Sequence, residues 1–237
     1  MRVLILTTDT LHHSYFVREL VSHVPKLHVI LETTGVRPSF EVTHPFEPVR
    51  DQYERDMWFG GNTPSVSDFA EAMTCPNVND SEAVKAVQQF VPDITVAFGI
   101  RKAEPALIRA AGPRVVNLHG GDPEFYRGLD SHLWAIYHND FRNVVTTLHV
   151  LNEALDDGAL IGIRPVALYR DMRLHQLRQS NTESALNLVR AALEELQRTG
   201  HIASRSQRQV GRYYSFMPTV LKEVCVKRFE KYCARLE

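Results

Sequence analysis

The chain has 237 residues, of which 44% are hydrophobic and 23% charged, with a formal net charge of −1. That length supports one large domain, or one domain with a small appendage, around a substantial core, and argues against two full domains. The balance is that of a globular protein and excludes disordered and membrane classes, and a nearly neutral chain supplies no global attraction for nucleic acid.

Met1-Arg2-Val3-Leu4-Ile5-Leu6 holds an apolar run too short for a secretion signal, and no segment approaches the roughly 20 apolar residues of a membrane span. A cytoplasmic location with no membrane partner is therefore expected. The three cysteines, Cys75, Cys225 and Cys233, lack the short paired spacings of zinc sites, so reduced structural thiols are expected.

Val3 to Leu6 reads as a strand buried on both faces, closed by Thr7-Thr8-Asp9-Thr10. Ser14 to His23 has helical spacing, and Leu27 to Leu31 reads as a second strand. Strand, helix and strand in this order make a right-handed parallel crossover, which sets the class as α/β. From Thr33 to Asn79 periodicity breaks down among Pro38, Pro45, Pro48, Pro64, Pro76 and the pair Gly60-Gly61. So long an irregular stretch marks a lid, a binding loop or hidden short helices.

Order resumes with Ser81 as the N-cap of a helix that runs to about Phe90, ahead of Pro92. A strand Ile94 to Phe98, a short helix Glu104 to Ala110 and a strand Arg114 to Leu118 follow. Next come a helix Ser131 to His138, a β-branched strand Val144 to Val150, and a strand Leu160 to Tyr169 that Pro165 breaks or confines to an edge. Thr182 caps the strongest helix, which runs to Gln197 before Gly200. A basic, polar stretch from Ser204 leads to a last amphipathic helix, Thr219 to Leu236.

Chemistry concentrates where Val115-Val116 runs into Asn117-Leu118-His119-Gly120-Gly121, because open α/β sheets place their sites at the carboxyl ends of strands. Alternation puts Asn117 and His119 on one face with Cα atoms roughly 6.6 Å apart. An amide and an imidazole can thus meet one substrate atom, although Asn also caps turns and His also packs in cores. Leu155-Asp156-Asp157-Gly158 is on its own a turn signal. Together with the Asn-x-His strand end it adds a carboxylate that the same pocket could share.

The ordered set Val116-Asn117-Leu118-His119, Phe125-Tyr126-Arg127-Gly128, Trp134-Ala135-Ile136, Val145-Thr146-Thr147-Leu148-His149 and Leu155-Asp156-Asp157-Gly158 resembles the 10-formyltetrahydrofolate-dependent formyltransferases. The resemblance is densest from about Ile94 to Ile161. It implies a Rossmann-like, mostly parallel sheet flanked by helices, with residues 1–200 as the catalytic domain. Residues 201–237 would be a short helical extension that packs on this domain or on a partner. It also implies Asn117, His119 and Asp156 as the catalytic set, 10-formyltetrahydrofolate as formyl donor, and no metal. In those roles Asn117 donates to the developing oxyanion, His119 either joins it as a protonated donor or, neutral, takes the amine's proton, and Asp156 orients the imidazole or a water; the residues leave both His119 roles open.

By the same resemblance the pterin lies against Phe98, Gly99, Ile100, Arg101, Lys102 and Ala103 and the loop bearing Leu151, Asn152 and Leu155. The family's Ser-Leu-Leu-Pro after the His is replaced by Gly120-Gly121-Asp122-Pro123. The glycine-rich phosphate turn of glycinamide ribonucleotide formyltransferase has no counterpart in Thr7 to Tyr15. The second, C-terminal β-barrel domain of methionyl-tRNA formyltransferase has none after the Thr182 helix. The likeness therefore falls to the sugar-nucleotide N-formyltransferases, which act in cell-surface glycan synthesis, with a nucleoside-diphosphate amino sugar as acceptor and homodimerisation open. Candidate acceptor contacts are His12, Trp58, Asn62, Tyr126, Arg127 and Tyr213. His12-His13 lacks the accompanying carboxylates of a metal site. A formyltetrahydrofolate hydrolase, a glycinamide ribonucleotide-type enzyme and a non-catalytic assembly module are the alternatives.

Overall fold

The computed structural model describes every residue from Met1 to Glu237. Seven strands form one sheet, crossed in sequence order by helices on both faces. The opening unit is β1 (Arg2–Thr8), α1 (Leu11–Val21) and β2 (Lys26–Glu32), with β1 and β2 parallel and Val3 opposite Leu27. Next in the sheet order β3-β2-β1-β4-β5-β7-β8 come β3 (Glu71–Cys75), β4 (Ile94–Phe98) and β5 (Val115–His119), all parallel. The last two, β7 (Val145–Val150) and β8 (Leu160–Pro165), run antiparallel. β6 (Tyr126–Gly128) stands apart and pairs in parallel with β9 (Arg212–Tyr214).

The helices between them are α2 (Phe46–Phe59), α3 (Ser81–Phe90), α4 (Pro105–Ala110), α5 (Ser131–Tyr137), α6 (Leu177–Thr199) and α7 (Thr219–Cys233). Alternation along β1 divides the core, as the two-residue side-chain period of a strand requires. Val3 and Ile5 face α1 and α6, with Phe16, Leu20, Val189 and Leu193. Leu4 and Leu6 face α3 and α4, with Val87 and Leu107. A third cluster joins Ile136 of α5 and Cys225 and Phe229 of α7 to Met172, Leu174 and Met217.

Of the readings open for Thr33 to Asn79, that of a hidden helix holds: α2 occupies Phe46–Phe59 and the edge strand β3 follows, while residues 33–45 stay irregular. Pro48 sits in the first turn of α2, where its missing N–H breaks no helical bond, and Gly60 ends the helix with φ +56. Several expectations are corrected. The α3 N-cap is Asp80 rather than Ser81. Thr182 caps nothing. It lies inside α6, which begins at Leu177 after a single 3₁₀ turn, and its Oγ1 donates back to the Arg178 carbonyl at 2.8 Å. The strand from Leu160 stops at Pro165 instead of reaching Tyr169, because proline offers no N–H to a further ladder bond. The short strands β6 and β9 carried no periodicity long enough to see.

No helix is long and apolar enough to cross a membrane, and no group of three or more His, Cys, Asp or Glu side chains is placed to hold a metal ion.

Candidate active site

β5 brings Asn117 and His119 to one face of the sheet, and the register with β7 sets His149 directly opposite Asn117. Since β7 runs antiparallel, the loop after it leaves the sheet beside Val115, where the Leu151 N–H donates to the Val115 carbonyl at 2.8 Å. Asp156 thus follows the carboxyl end of a neighbouring strand, as the sequence suggests, but that end lies beside the start of β5 rather than beside its carboxyl end. Its loop folds back over the sheet face to reach Asn117 and His119.

Four polar side chains meet there. His119 Nε2 donates to the Tyr126 carbonyl at 2.8 Å, which leaves the lone pair of the neutral ring on Nδ1, 3.6 Å from Asp156 Oδ1. His149 Nδ1 likewise donates to the Val150 carbonyl at 2.8 Å, so its Nε2 accepts from Asn117 Nδ2 at 3.1 Å. The second Asn117 N–H has only a long contact, 3.5 Å, to Asp156 Oδ1, and so is free for an incoming acceptor. Asp156 Oδ2 accepts the Gly128 N–H at 2.8 Å. Gly128 has φ +91, and a Cβ there would lie 2.2 Å from the Tyr214 carbonyl oxygen, so only glycine lets the chain approach this closely.

Burial pushes the Asp156 carboxyl up, but the His119 charge, the His149 ring 3.4 Å away and the Gly128 N–H outweigh it and hold the group at about 2. Burial, with a smaller push from His149, lowers His119 below its usual range despite the opposing pull of Asp156. The site therefore presents a neutral imidazole beside a carboxylate at pH 7.

These groups open into a cleft of about 360 Å³, within the size range of small-molecule sites. Phe98, Gly99, Ile100, Arg101, Lys102 and Ala103 line one side with Leu151, Asn152 and Leu155. This side is held rigid from behind: Glu32, 3% exposed, accepts the Arg101 N–H at 3.0 Å and also pairs with its guanidinium. Asn79 holds the Lys102 carbonyl at 3.1 Å. A pocket with apolar cover and fixed backbone groups fits a flat heteroaromatic ring such as a pterin.

Of the six acceptor candidates only His12 lines the cleft. The others lie off its wall for reasons the structure makes plain. Trp58 is buried in a stack on Tyr15, with centroids 4.3 Å apart. Asn62 closes the end of α2 on the Phe59 carbonyl. Tyr126 is buried and donates to Asp140 at 3.0 Å. Arg127 holds the Leu155 carbonyl with Nε at 2.8 Å, and Tyr213 covers Gly128.

In their place the far wall carries Phe46, Arg50, Asp130, Leu174, Arg178 and Asn181. Sequence reasoning missed these and His149. His149 stood inside a quoted motif, two residues along the strand from the buried Thr147, which was its signal; Arg50 and Arg178 had none, because they sit on helices whose inner ends were not recognised. Arg178 is anchored on the fully buried Glu54, with Nε to Oε1 at 2.6 Å, and reaches Asp51 at 2.7 Å. Arg50 shares Asp51 at 3.0 Å. Burial first, then the Arg178 charge, lowers the Arg50 pKa. Burial likewise depresses His12, and the charges acting on it, from His13, Arg178 and Arg50, are all of one sign. This wall presents two guanidinium groups, held in place by Asp51 and Glu54 behind them.

Two further buried imidazoles, His13 and His132, are pushed down to about 3 and about 4 by burial. The unfolded chain binds these protons near pH 6.5 while the folded chain refuses them, so stability is full above pH 6.5 and falls as pH drops towards 4. Thermal melts from pH 7.5 to 4.5 should show a falling Tm, and His132→Gln should flatten the slope. An unchanged slope would show that His132 is not held neutral.

The formyl transferase family matches residues 55–193. Among solved structures the chain is similar to Rv3404c of Mycobacterium tuberculosis, with a TM-score of 0.62, 19% identity, and coverage of 90% of this chain and 75% of that one. It is similar to a sugar N-formyltransferase from Shewanella, with a TM-score of 0.62, 14% identity and coverage of 97% and 88%. HypX from Aquifex aeolicus, in complex with tetrahydrofolic acid, gives a TM-score of 0.60 and 18% identity over 99% of this chain but only 34% of its own. This chain thus spans about a third of HypX. Among curated proteins none matches. With a family match over more than half of its length and the same mostly parallel sheet in these structures, the chain belongs to the formyl transferase family.

Proposed function

We propose that this enzyme moves the formyl group of 10-formyltetrahydrofolate to the amine of an amino sugar carried on a nucleoside diphosphate. The observation that carries the acceptor assignment is the pair of guanidinium groups, Arg50 and Arg178, lining the same cleft, with His12 packed edge-on against Phe98 at its side. Guanidinium groups match phosphate oxygens in geometry and charge. The Shewanella enzyme's name and the tetrahydrofolic acid in HypX support the same pairing of acceptor and donor.

The folate supplies an activated formyl carbon to which the acceptor amine adds. Asn117 donates its free N–H to the oxygen on which negative charge develops. His119 Nδ1 takes the amine's proton, Asp156, 3.6 Å away, stabilises the imidazolium so formed, and this proton would be returned to the folate nitrogen as its bond to the formyl carbon breaks, leaving the formamide and tetrahydrofolate. His149 holds the Asn117 amide in place. Residues 1–200 form the catalytic domain in this reading, and the extension 201–237 folds onto it, with α7 sharing the apolar cluster of α5.

Tetrahydrofolate release should require an amino-sugar nucleotide, tested with a panel that includes the free amino sugars. Release without any amine would identify a hydrolase, and equal rates with the free sugars would remove the diphosphate from the proposal. Because burial holds His119 below its usual range, kcat/KM should stay flat as pH falls through 6.5 and decline only below it. A decline already complete at pH 6.5 would contradict a neutral, buried His119.

A further inference from the structure

The Asp156 loop is held by side chains rather than by a ladder. Asp156 itself is in the left-handed region, φ +51, without being glycine. Gly158 passes so close to β7 that a Cβ would lie 1.7 Å from the Val150 carbonyl oxygen. Three carbonyls of this turn find side-chain donors: that of Leu155 meets Arg127, and those of Asp156 and Gly158 both meet Gln207 Nε2, at 2.9 and 3.0 Å.

Gln207 belongs to the stretch after α6, beyond the residues that the family matches. This stretch is itself tied down. Arg205 exchanges two backbone hydrogen bonds with Leu160 at the start of β8, at 2.7 and 2.8 Å. Its guanidinium grips Glu124 through two bonds of 2.9 and 3.1 Å, and the Arg208 N–H also donates to Glu124. Glu124 is held down at about 2, chiefly by the Arg205 hydrogen bonds. Gln209 closes the strap on the Glu124 carbonyl at 2.9 Å. The Gln207 Oε1 is buried with no partner. Leaving a buried acceptor unpaired carries a penalty, which implies that the amide is retained for its N–H groups.

We infer that Gln207 is a positioning residue for catalysis: a strap from the C-terminal extension, anchored by Arg205 on Glu124, fixes the left-handed turn that aims the Asp156 carboxylate at His119. The inference rests on the catalytic roles proposed above, but it is readable without turnover. The test compares Gln207→Ala with Gln207→Met in the full-length chain. Methionine keeps the volume and apolar contacts while removing both N–H donors.

A packing role predicts that Met behaves like wild type. The positioning role predicts that Met and Ala fail alike: kcat falls about 10- to 100-fold, the range expected for a displacement near 1 Å, with the KM for folate unchanged. The second readout is the His119 titration followed by NMR and assigned with His119→Ala. Moving the carboxylate away removes the largest of the influences that raise the His119 pKa, so it should drop in both variants. A normal kcat in Gln207→Met, or an unmoved His119 titration in both variants, overturns the inference. Should wild type show no formyl transfer at all, the titration still decides the positioning claim separately.

Discussion

Replacing His119 with alanine is expected to lower kcat by about 10²-fold or more, the usual loss when a general acid-base group is removed. Folate affinity should hold, since the apolar cover and backbone groups of residues 98–103 and of the Leu151 to Leu155 loop remain in the cleft. Asp156→Asn should cost a comparable factor by a different route. The amide can still accept the Gly128 N–H, so the turn survives, but the charge that stabilises protonated His119 is gone. The same substitution has a readable stability signature. The carboxyl sits at about 2 in the folded chain against roughly 3.9 unfolded, so it contributes stability above pH 4 that is lost as pH falls towards 2. Asp156→Asn should therefore flatten acid unfolding between pH 4 and 2. Undiminished turnover in purified His119→Ala would remove the imidazole from the reaction.

What could be read from the residues followed from period and order. The β1-α1-β2 opening was visible because Val3 to Leu6 and Phe16, Val17 and Leu20 carry two clean periods, 2 and 3.6, next to one another. Asn117 and His119 were visible as polar residues breaking a buried run. The acceptor wall was not, and the cause is physical. α2 buries only Glu54 and Trp58, because it contributes an ion pair rather than an apolar stripe, so no hydrophobic period marks it. The first turns of α6 are likewise polar: Arg178, Gln179, Ser180 and Asn181 read as a loop and Thr182 as a cap, although the helix had already begun. Function displaced the pattern at the two helices where Arg50 and Arg178 arise. The loop geometry of Asp156 was hidden for another reason. A strand's direction is a tertiary fact, and β7 reverses.

The buried pair that anchors this wall gives the second large effect. Glu54 is fully buried, and Arg178 reaches it with Nε at 2.6 Å. Breaking a buried ion pair from one side costs roughly 3–5 kcal/mol; Asp51 still partners Arg178 here and part of the arginine is wet, so Glu54→Ala should cost about 2–3 kcal/mol. For a chain of this size that corresponds to a Tm lower by about 5–10 °C. The acceptor KM should rise as well, because Arg178 is no longer held at the cleft wall, while the folate KM stays constant. The two consequences separate in the double variant Glu54→Leu with Arg178→Met. Apolar replacement of both partners typically restores or exceeds the stability of the buried pair. Its Tm should therefore recover while the acceptor KM stays high, because the Arg178 guanidinium no longer faces the phosphates and Arg50 is left alone to do so. If the double variant instead recovers both the Tm and the acceptor KM, Arg178 serves the fold alone and the anion-binding wall is reduced to Arg50 and His12.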